Sequence, residues 1–257
     1  LGIQSFDNHQ LKLLGRIHDS ADARRSIDIA RAAGFNNITL DLMFGLPGQN
    51  IDEALSDLLV ALEFEPEHLS WYQLTIEPNT VFYSNPPQLP AETETVGMLE
   101  RGYDRLEESG FHHYETSAWS RDNAECRHNL NYWQFGDYLG IGAGAHGKIT
   151  LAEHNQVMRT RKTRQPKAYL SASGNYVTET QFLDSSDLKT EFLMNALRLT
   201  EGFEKSLFNR RTGIPFSAIE KTLEYLGEQG LMEQSGNMVS PTRKGQLLLN
   251  NILEAFL

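Results

Sequence analysis

The sequence predicts an α/β fold in which parallel strands alternate with helices, followed by a smaller winged-helix-like module. Short apolar, β-branched runs alternate with amphipathic stretches in the first part of the chain, and this β-α-β-α-β order implies parallel strands joined by right-handed crossovers. From residue 187 onward the pattern changes to short helices and one tight hairpin. The alternating segments lie at residues 1–6, 20–33, 37–44, 50–62 and 68–76.

The first two helices carry recognisable end signals. Ser20 is the expected N-cap of the first helix, and Gly34 follows its last turn. Asn50 opens the second helix, with Glu53 at the spacing of a capping box. The residues expected to face inward from the first helix are Ile27, Ile29 and Ala30. Those expected to face inward from the second are Leu55, Leu58, Leu59 and Leu62.

Later segments follow from the same two periodicities. A proline-rich stretch after Thr75 has the composition of a lid or a crossover. The remaining predicted elements are a helix at 92–108, strands at 111–119 and 148–151, a helix at 216–229, a hairpin around Ser235 and Gly236, and a closing helix at 241–257.

Composition excludes several classes of function. The 257 residues carry a formal net charge of −11, and the predicted helix at 216–229 sets one lysine against three glutamates. Nucleic-acid phosphates require a basic face, so nucleic acid is not an expected partner. No apolar run approaches the roughly 20 residues of a transmembrane segment. The single cysteine, Cys126, allows no disulfide framework and predicts a cytoplasmic protein.

Polar residues interrupt three successive apolar strands. Gln4, Asp41 and Thr75 each lie toward the expected C-terminal end of a strand, and in α/β barrels that end carries the ligand site. One buried polar residue in a strand is usually structural. Three residues at matching positions favour a ligand site as strongly as a structural role.

The stretch 128–147, HNLNYWQFGDYLGIGAGAHG, combines a possible metal ligand, two adjacent aromatic residues and five glycines. We expect it to form a loop that approaches a ligand closely. His128 is either an axial ligand to heme iron or a structural histidine. The G-x-G-x-x-G pattern at 142–147 is not a dinucleotide fingerprint, because β-prone residues follow it and no acidic residue stands about 20 positions on.

The motifs together resemble one protein family, the HemW-type heme chaperones. These are relatives of oxygen-independent coproporphyrinogen III oxidase in the radical S-adenosylmethionine superfamily. The resemblance extends over essentially the whole chain. The motifs that carry it are LGIQSF, LGRIH, DLMFGLPGQ, LSWYQLTIEPNT, YETSAW, HNLNYW and GIGAGAHG.

The resemblance implies a partial (β/α) TIM-like barrel of the radical S-adenosylmethionine type with a helical C-terminal domain. The expected divisions are the barrel part with a glycine-rich closing segment at 1–150, a basic hairpin or connector at 151–186, and the winged-helix-like domain at 187–257. The implied S-adenosylmethionine-binding residues are Gln4, Arg16, Asp41, Thr75 and His146. The implied heme-binding residues are His128, Asn129, Tyr132 and Trp133, with His128 as the iron ligand. No catalytic residue is assigned.

The resemblance also sets expectations about cofactors and partners. The family's cysteine motif is absent before Leu1, so we expect a 4Fe-4S cluster only in the full-length protein and no enzyme activity from this chain alone. Two functions stay open. One is a chaperone that passes heme to an acceptor such as a membrane-associated respiratory enzyme, and the other is a coproporphyrinogen III oxidase. The basic run at 159–167, with five basic residues in nine, is either a solvated hairpin or a site for the heme propionates near the glycine-rich loop.

Overall fold

The computed structural model describes residues 1–122 and 124–257. The chain divides into two compact units, Leu1–Cys126 and Arg127–Leu257. The expected boundary at residue 150 falls inside a strand, His146–Leu151. The division into 1–150, 151–186 and 187–257 stays a prediction. The two units are described separately below.

The first unit is a mixed five-stranded sheet in the order β1-β2-β3-β5-β4. Its elements are β1 Gly2–Gln4, α1 Asn8–Leu13, α2 Ser20–Ala32, β2 Thr39–Phe44, α3 Ile51–Glu63, β3 His68–Gln73, α4 Val81–Ser84, α5 Glu92–Glu108, β4 His112–Glu115 and β5 Ala118–Ser120. Strands β1, β2 and β3 are parallel, as predicted, whereas β5 runs antiparallel to β3 and β4.

The predicted single strand at 111–119 is wrong, because the chain reverses within it. Strands β4 and β5 form a hairpin. The backbone N–H and the hydroxyl of Ser117 both donate to the Glu115 carboxylate, at 3.2 and 3.0 Å. A serine bonded to a side chain two residues earlier closes a tight turn, and the alternation of polar and apolar residues does not reveal it.

The helix ends and faces differ in detail from the expectation. Asp19, and not Ser20, is the N-cap of α2, whereas the predicted capping box of Asn50 and Glu53 is present at α3. Ile29 and Leu59, both predicted to face inward, are 62% and 45% exposed. The stripes that face the core keep a helical spacing but differ in part from the predicted residues. They consist of Ala23, Ile27 and Ala30 on α2 and of Ala54, Asp57, Leu58 and Ala61 on α3.

The core of the first unit lies between the helices and one face of the sheet. Trp71 on β3 is one of its two tryptophans, and its ring packs against that of Phe44 of β2, tilted by 33° with ring centroids 4.3 Å apart. Helix α5 reaches this ring at Gly102, where a Cβ atom would lie 1.8 Å from the Trp71 ring. Glycine is therefore required at position 102 for the helix to lie directly on the indole.

A buried carboxylate ties the end of β1 to helix α3. Asp57 is 5% exposed. It accepts hydrogen bonds from the Ser5 hydroxyl at 2.6 Å and from the Phe6 backbone N–H at 2.7 Å. Burial raises the pKa of Asp57 to about 6, and the two hydrogen bonds oppose this rise only in part.

This carboxylate predicts a pH dependence of stability. Because the folded-state pKa of Asp57 lies above its usual 3.8, the folded state binds the proton more tightly than the unfolded state. The first unit should therefore lose about 3 kcal/mol of stability as pH rises from about 4 to about 6. Asp57→Asn should remove this slope; its amide oxygen still accepts the Phe6 N–H, while its NH2 group donates to the Ser5 hydroxyl oxygen in place of accepting from it. Denaturant unfolding from pH 4 to 7, taken as the difference between wild type and Asp57→Asn, measures the effect, and parallel curves would contradict it.

The second unit joins two antiparallel sheets to a set of short helices. Its elements are α6 Arg127–Trp133, β6 His146–Leu151, β7 Gln156–Lys162, α7 Pro166–Ser171, β8 Val177–Phe182, α8 Ser185–Ala196, β9 Phe203–Glu204, α9 Lys205–Thr212, α10 Ser217–Glu228, β10 Met232–Ser235, β11 Met238–Pro241, α11 Arg243–Leu247 and α12 Leu249–Glu254. The strand orders are β6-β7-β8 and β10-β11-β9. Among the described residues, no helix is both long and apolar enough to cross a bilayer.

The winged-helix-like order of helices, hairpin and helix is present from α8 onward, with two corrections. The turn of the predicted hairpin consists of Gly236 and Asn237, and Gly236 adopts a φ of +58°. The predicted closing helix is broken at Leu248, whose φ and ψ of −114° and 33° depart from helical values. Helix α11 needs Gly245 because a Cβ there would lie 1.9 Å from the Leu231 carbonyl oxygen, and the break redirects α12 so that Ile252 reaches the core.

Candidate binding sites

The two faces of the first sheet differ in polarity. Side chains alternate between the faces of a strand, and Leu40, Leu42 and Phe44 of β2 lie in the helix-covered core. Asp41, between two of them, belongs to the opposite face. In the neighbouring strand, Tyr72 follows Trp71 of the core and also belongs to the opposite face. This opposite face, called here the polar face, is where ligand-binding groups are available.

Three of the predicted site residues lie around one tyrosine hydroxyl on the polar face. The Tyr72 hydroxyl donates to Oε1 of Gln4 at 2.9 Å. Burial raises the pKa of Tyr72, and the nearby Asp41 carboxylate raises it further, while the Gln4 hydrogen bond and the Arg16 charge oppose this rise. The structure thus brings Gln4, Arg16 and Asp41 together. Tyr72 was missed from the sequence, although its position in YQLTIEP, on the strand paired with that of Asp41, could have indicated it.

Two of the predicted S-adenosylmethionine-binding residues lie outside this group. Thr75 is exposed, two residues beyond β3, and its hydroxyl donates to the Glu77 carboxylate at 3.2 Å. His146 opens β6 in the second unit, opposite Arg161 of β7. The expected position of Asp41 near the end of its strand is also corrected, since Asp41 is the third residue of β2. The strand ends at Phe44, as predicted, and three more residues pair with β3 after Asp41.

A second polar cluster lies at the opposite end of β3. His68 is 1% exposed, and its Nε2 lies 2.7 Å from the Tyr114 hydroxyl, which also accepts the Cys126 backbone N–H at 3.3 Å. Burial lowers the pKa of His68 to about 4, so its ring is neutral at pH 7. The described part of the protein offers no hydrogen-bond partner to His68 Nδ1 or to the hydroxyl of Ser120 on β5.

The thiol content does not fit an iron–sulfur cluster. A four-iron cluster is held by cysteine thiolates, usually four, and the sequence contains only Cys126. Within residues 1–122 and 124–257, no group of three or more histidine, cysteine, aspartate or glutamate side chains is placed to hold a metal ion. No chemistry of such a cluster is therefore assigned to this chain.

The HNLNYW segment is helical, which corrects the expectation of a loop. It forms α6, whose i and i+4 positions share a face. The rings of His128 and Tyr132 are perpendicular, with centroids 4.8 Å apart, and Tyr132 in turn meets the edge of Tyr138 at 4.6 Å. Tyr138 is fixed by two backbone hydrogen bonds to Lys148. His128 is exposed while Tyr132 is half-buried, so the imidazole stands on an ordered aromatic support.

The other aromatic residue of the segment points elsewhere. Trp133 follows Tyr132 by one position, which is about a quarter turn of helix. Its ring lies beneath the Arg198 guanidinium, whose Cζ is 4.3 Å from the ring centroid. Asn129 is half-buried on the same helix. The predicted heme residues therefore include one pair that shares a face, His128 with Tyr132, and Trp133 packs in a separate contact.

The glycine-rich loop and the basic run are neighbours, as expected from the sequence. The Gly144 N–H donates to the Thr163 carbonyl, and the Lys162 N–H donates to the Ala145 carbonyl, both at 2.8 Å. The expected further strand follows the loop as β6, and a strand here is incompatible with the helix that a dinucleotide fingerprint needs.

The basic run divides into paired and unpaired cations. Arg159 forms an ion pair with Glu191 and donates to the Tyr138 hydroxyl, and Arg161 lies 3.6 Å from Glu179. The described residues place no carboxylate within ion-pair distance of the other three basic side chains. These are Lys162, Arg164 and Lys167, and together with the exposed apolar Leu139 and Ile141 of the loop they form what we call the loop surface.

Comparison with known proteins adds family evidence. The profile of the Radical SAM superfamily matches residues 1–59, and that of the HemN C-terminal domain matches residues 183–248. Heme chaperone HemW of Haemophilus influenzae is 43% identical over 257 residues, which is all of this chain and 66% of the relative. The Escherichia coli HemW is also 43% identical, with 67% of its length covered, and the Bacillus subtilis HemW is 35% identical over 264 residues, with 100% of this chain and 68% of its own length covered.

A solved structure shows the same fold. Coproporphyrinogen III oxidase of Escherichia coli, described as a radical SAM enzyme, superposes with a TM-score of 0.78. It is 20% identical, and the match covers 99% of this chain and 62% of the other. The chain thus spans about two thirds of the length of the relatives that it matches.

Proposed function

The chain belongs to the HemW family of heme chaperones, and we propose that it binds heme through His128 and delivers it to an acceptor protein. The observation that supports this most directly is the exposed imidazole on α6, held against Tyr132. A histidine is a common axial ligand of heme iron. A ring already oriented by its neighbour loses little freedom when it takes up the iron.

The loop surface offers groups that can contact the porphyrin ring and the propionates of heme. Heme is a large apolar ring that carries two carboxylates. Exposed Leu139 and Ile141 match the ring, and the unpaired cations match the propionates. The Arg164 guanidinium can bind a carboxylate through two parallel hydrogen bonds, and the two lysine ammonium groups pair with carboxylates as point charges. In this proposal Trp133 has a structural role beneath Arg198 and does not stack on the porphyrin. The acceptor is a heme-requiring protein such as a membrane-associated respiratory enzyme, and the location is the cytoplasm.

The first unit is proposed to bind S-adenosylmethionine on its polar face. This ligand has ribose hydroxyls, an amino group and a carboxylate. Asp41 accepts hydrogen bonds from hydroxyl or ammonium groups, and Arg16 pairs with the carboxylate. Thr75 and His146 stay proposed contributors on the family resemblance alone. The 4Fe-4S cluster belongs in this proposal to the full-length protein, so the chain holds S-adenosylmethionine without cleaving it.

Coproporphyrinogen III oxidase is the second candidate, because the fold superposes on that enzyme. At 20% identity the likeness extends to the fold alone. The two candidates separate when full-length protein is incubated anaerobically with heme and, separately, with coproporphyrinogen III. A chaperone gives a stoichiometric heme complex and leaves coproporphyrinogen unchanged, whereas an oxidase converts it by oxidative decarboxylation.

The loop surface predicts a salt-sensitive contribution to heme binding. Changing Lys162, Arg164 and Lys167 to glutamine should lower heme affinity about fivefold, since each exposed charge pair contributes up to about 1 kcal/mol. The remaining heme affinity of this variant should depend less on salt concentration than that of the wild type. Spectroscopic heme titrations at low and high ionic strength measure both. A control with the same charge change replaces exposed Arg210, Lys221 and Arg243 by glutamine. Equal affinities in the two triple variants would assign the basic run to an ordinary solvated hairpin.

A further inference from the structure

Gln4 is held in an unusual conformation from several directions. Its φ of +71° lies in the left-handed region that residues other than glycine rarely adopt. On one side His18 Nε2 lies 3.1 Å from the Ile3 carbonyl. On the other side Asp57 binds the two residues that follow. A strained residue that is fixed so thoroughly indicates a side chain whose position matters.

The side-chain amide of Gln4 also has a defined orientation. Its Oε1 accepts the Tyr72 hydroxyl at 2.9 Å. Its Nε2 lies close above Gly2, where an added Cβ would be 2.9 Å from that nitrogen. Glycine at position 2 therefore leaves room for the amide nitrogen, and the tyrosine occupies the amide oxygen.

The tyrosine itself is anchored by packing. Its ring belongs to a small apolar cluster at the end of β2 and β3, which includes residues of the segment after Thr75. The cluster consists of Met43, Leu46 and Leu74 with Leu14, Tyr72, Phe82 and Leu89. Burial keeps the hydroxyl protonated, because it raises the pKa of Tyr72 above its usual value of 10. The protonated hydroxyl donates its single hydrogen to Gln4 Oε1.

We propose that Tyr72 is a positioning residue, which holds the Gln4 amide so that its nitrogen is the group offered to the ligand. Gln4 then donates to a ligand oxygen, either a ribose hydroxyl or the carboxylate of S-adenosylmethionine, while Asp41 accepts. This rests on the proposed S-adenosylmethionine site. It goes further by assigning opposite hydrogen-bonding roles to two polar residues that lie on adjacent strands.

Tyr72→Phe tests the hydrogen bond and keeps the ring in its apolar cluster. We expect affinity for S-adenosylmethionine, measured by calorimetry on the 257-residue chain, to fall about fivefold, the size of one lost hydrogen bond. Tyr83→Phe is the matched control, because Tyr83 is 58% exposed on α4. Wild-type affinity in Tyr72→Phe would overturn the proposal.

Gln4→Glu separates a donor from an acceptor. A carboxylate still accepts the Tyr72 hydroxyl but has no N–H to donate. If Gln4 donates, affinity falls by about tenfold or more, even though the added negative charge attracts the cationic sulfonium. If Gln4 instead accepts from the ligand's amino group, Gln4→Glu binds as well as wild type or better, and that result refutes the donor role.

An NMR measurement without S-adenosylmethionine tests the positioning role of Tyr72 separately from the proposed S-adenosylmethionine site. In the ¹⁵N spectrum, the Gln4 side-chain amide, assigned by its disappearance in Gln4→Glu, should shift in Tyr72→Phe and not in Tyr83→Phe. An unchanged resonance would show that Tyr72 does not orient Gln4. If the wild-type chain fails to bind S-adenosylmethionine while this resonance shifts, the site proposal is wrong and the positioning contact stands.

Discussion

Replacing His128 with alanine is expected to lower heme affinity by at least about 100-fold and to shift the Soret band. Changes to groups that merely support a metal ligand reduce metal affinity by about 10- to 100-fold, and removal of the ligand itself should do no less. The imidazole is exposed on α6, so the substitution should leave folding unchanged. Heme titration followed by absorbance measures both effects.

Three further variants make this result specific. Asp41→Ala should bind heme normally and lose affinity for S-adenosylmethionine, the reverse of His128→Ala. Cys126→Ser tests the rival iron ligand, a thiolate, and should leave the Soret band in place. Trp133→Ala should affect stability through its contact with Arg198 more than heme affinity. A wild-type heme spectrum and affinity in His128→Ala would show that HNLNYW is a structural motif in this protein.

Gly102→Ala is expected to destabilise the first unit by about 3 kcal/mol or more. Alanine favours helix over glycine by about 1 kcal/mol, but its Cβ would lie 1.8 Å from Trp71 Cη2 and 2.0 Å from Cζ3. The indole cannot retreat easily, because it is 1% exposed and its ring packs against Phe44. Overpacking of a tight core typically costs about 1 to 3 kcal/mol, and an overlap this large lies at the upper end. Denaturant unfolding measures the change.

Gly97→Ala is the matched control on the same helix. Its Cβ would lie 2.8 Å from the terminal Cδ1 of Ile51, a flexible end that can move, and 3.7 Å from Cγ1 of the same side chain, which is an ordinary contact. We expect Gly97→Ala to be neutral or slightly stabilising. Trp71→Phe should also recover part of the loss in a double variant with Gly102→Ala, since the smaller ring removes the overlap. If the changes in the free energy of unfolding for Gly102→Ala and Trp71→Phe simply add in the double variant, α5 does not pack on the indole.

Patterns with a regular period predicted the fold of the first unit well. Strand alternation and helical spacing located β1, β2, β3, α2, α3 and α5, because these elements each bury one face against a common core. The β4–β5 turn was missed because it is closed by hydrogen bonds from Ser117 to the Glu115 side chain, without a glycine or proline signal. Leu59 was placed inward because it fits the i, i+3, i+4 and i+7 spacing of leucines in α3, and Ile29 was placed inward with its apolar neighbours Ile27 and Ala30. The buried stripes of α2 and α3 instead include small alanines, which carry a weaker sequence signal than leucine or isoleucine.

The candidate sites were predicted by residue type better than by geometry. Gln4, Arg16 and Asp41 do converge, but Tyr72, whose hydroxyl they surround, was missed because tyrosine is common in strands and its position beside the strand of Asp41 was not weighed. Within HNLNYW, adjacent aromatic residues suggested one stacking surface, and the helix instead separates Tyr132 from Trp133. The expected pairing of the basic run with the glycine-rich loop was correct. The sequence did not show which cations of the basic run are paired, because their partners Glu179 and Glu191 lie far along the chain.

The strand order of the first unit also governs how quickly it assembles. Each parallel pair among β1, β2 and β3 encloses an entire crossover helix, so its contacts form only after a long stretch of chain has closed on itself. Hairpins such as β10–β11 join strands two residues apart and form on the microsecond timescale. High contact order slows folding. Strand β1 leaves the ribosome before β2 and α3, so its pairing with β2 and the Asp57 contact must wait until those elements have emerged.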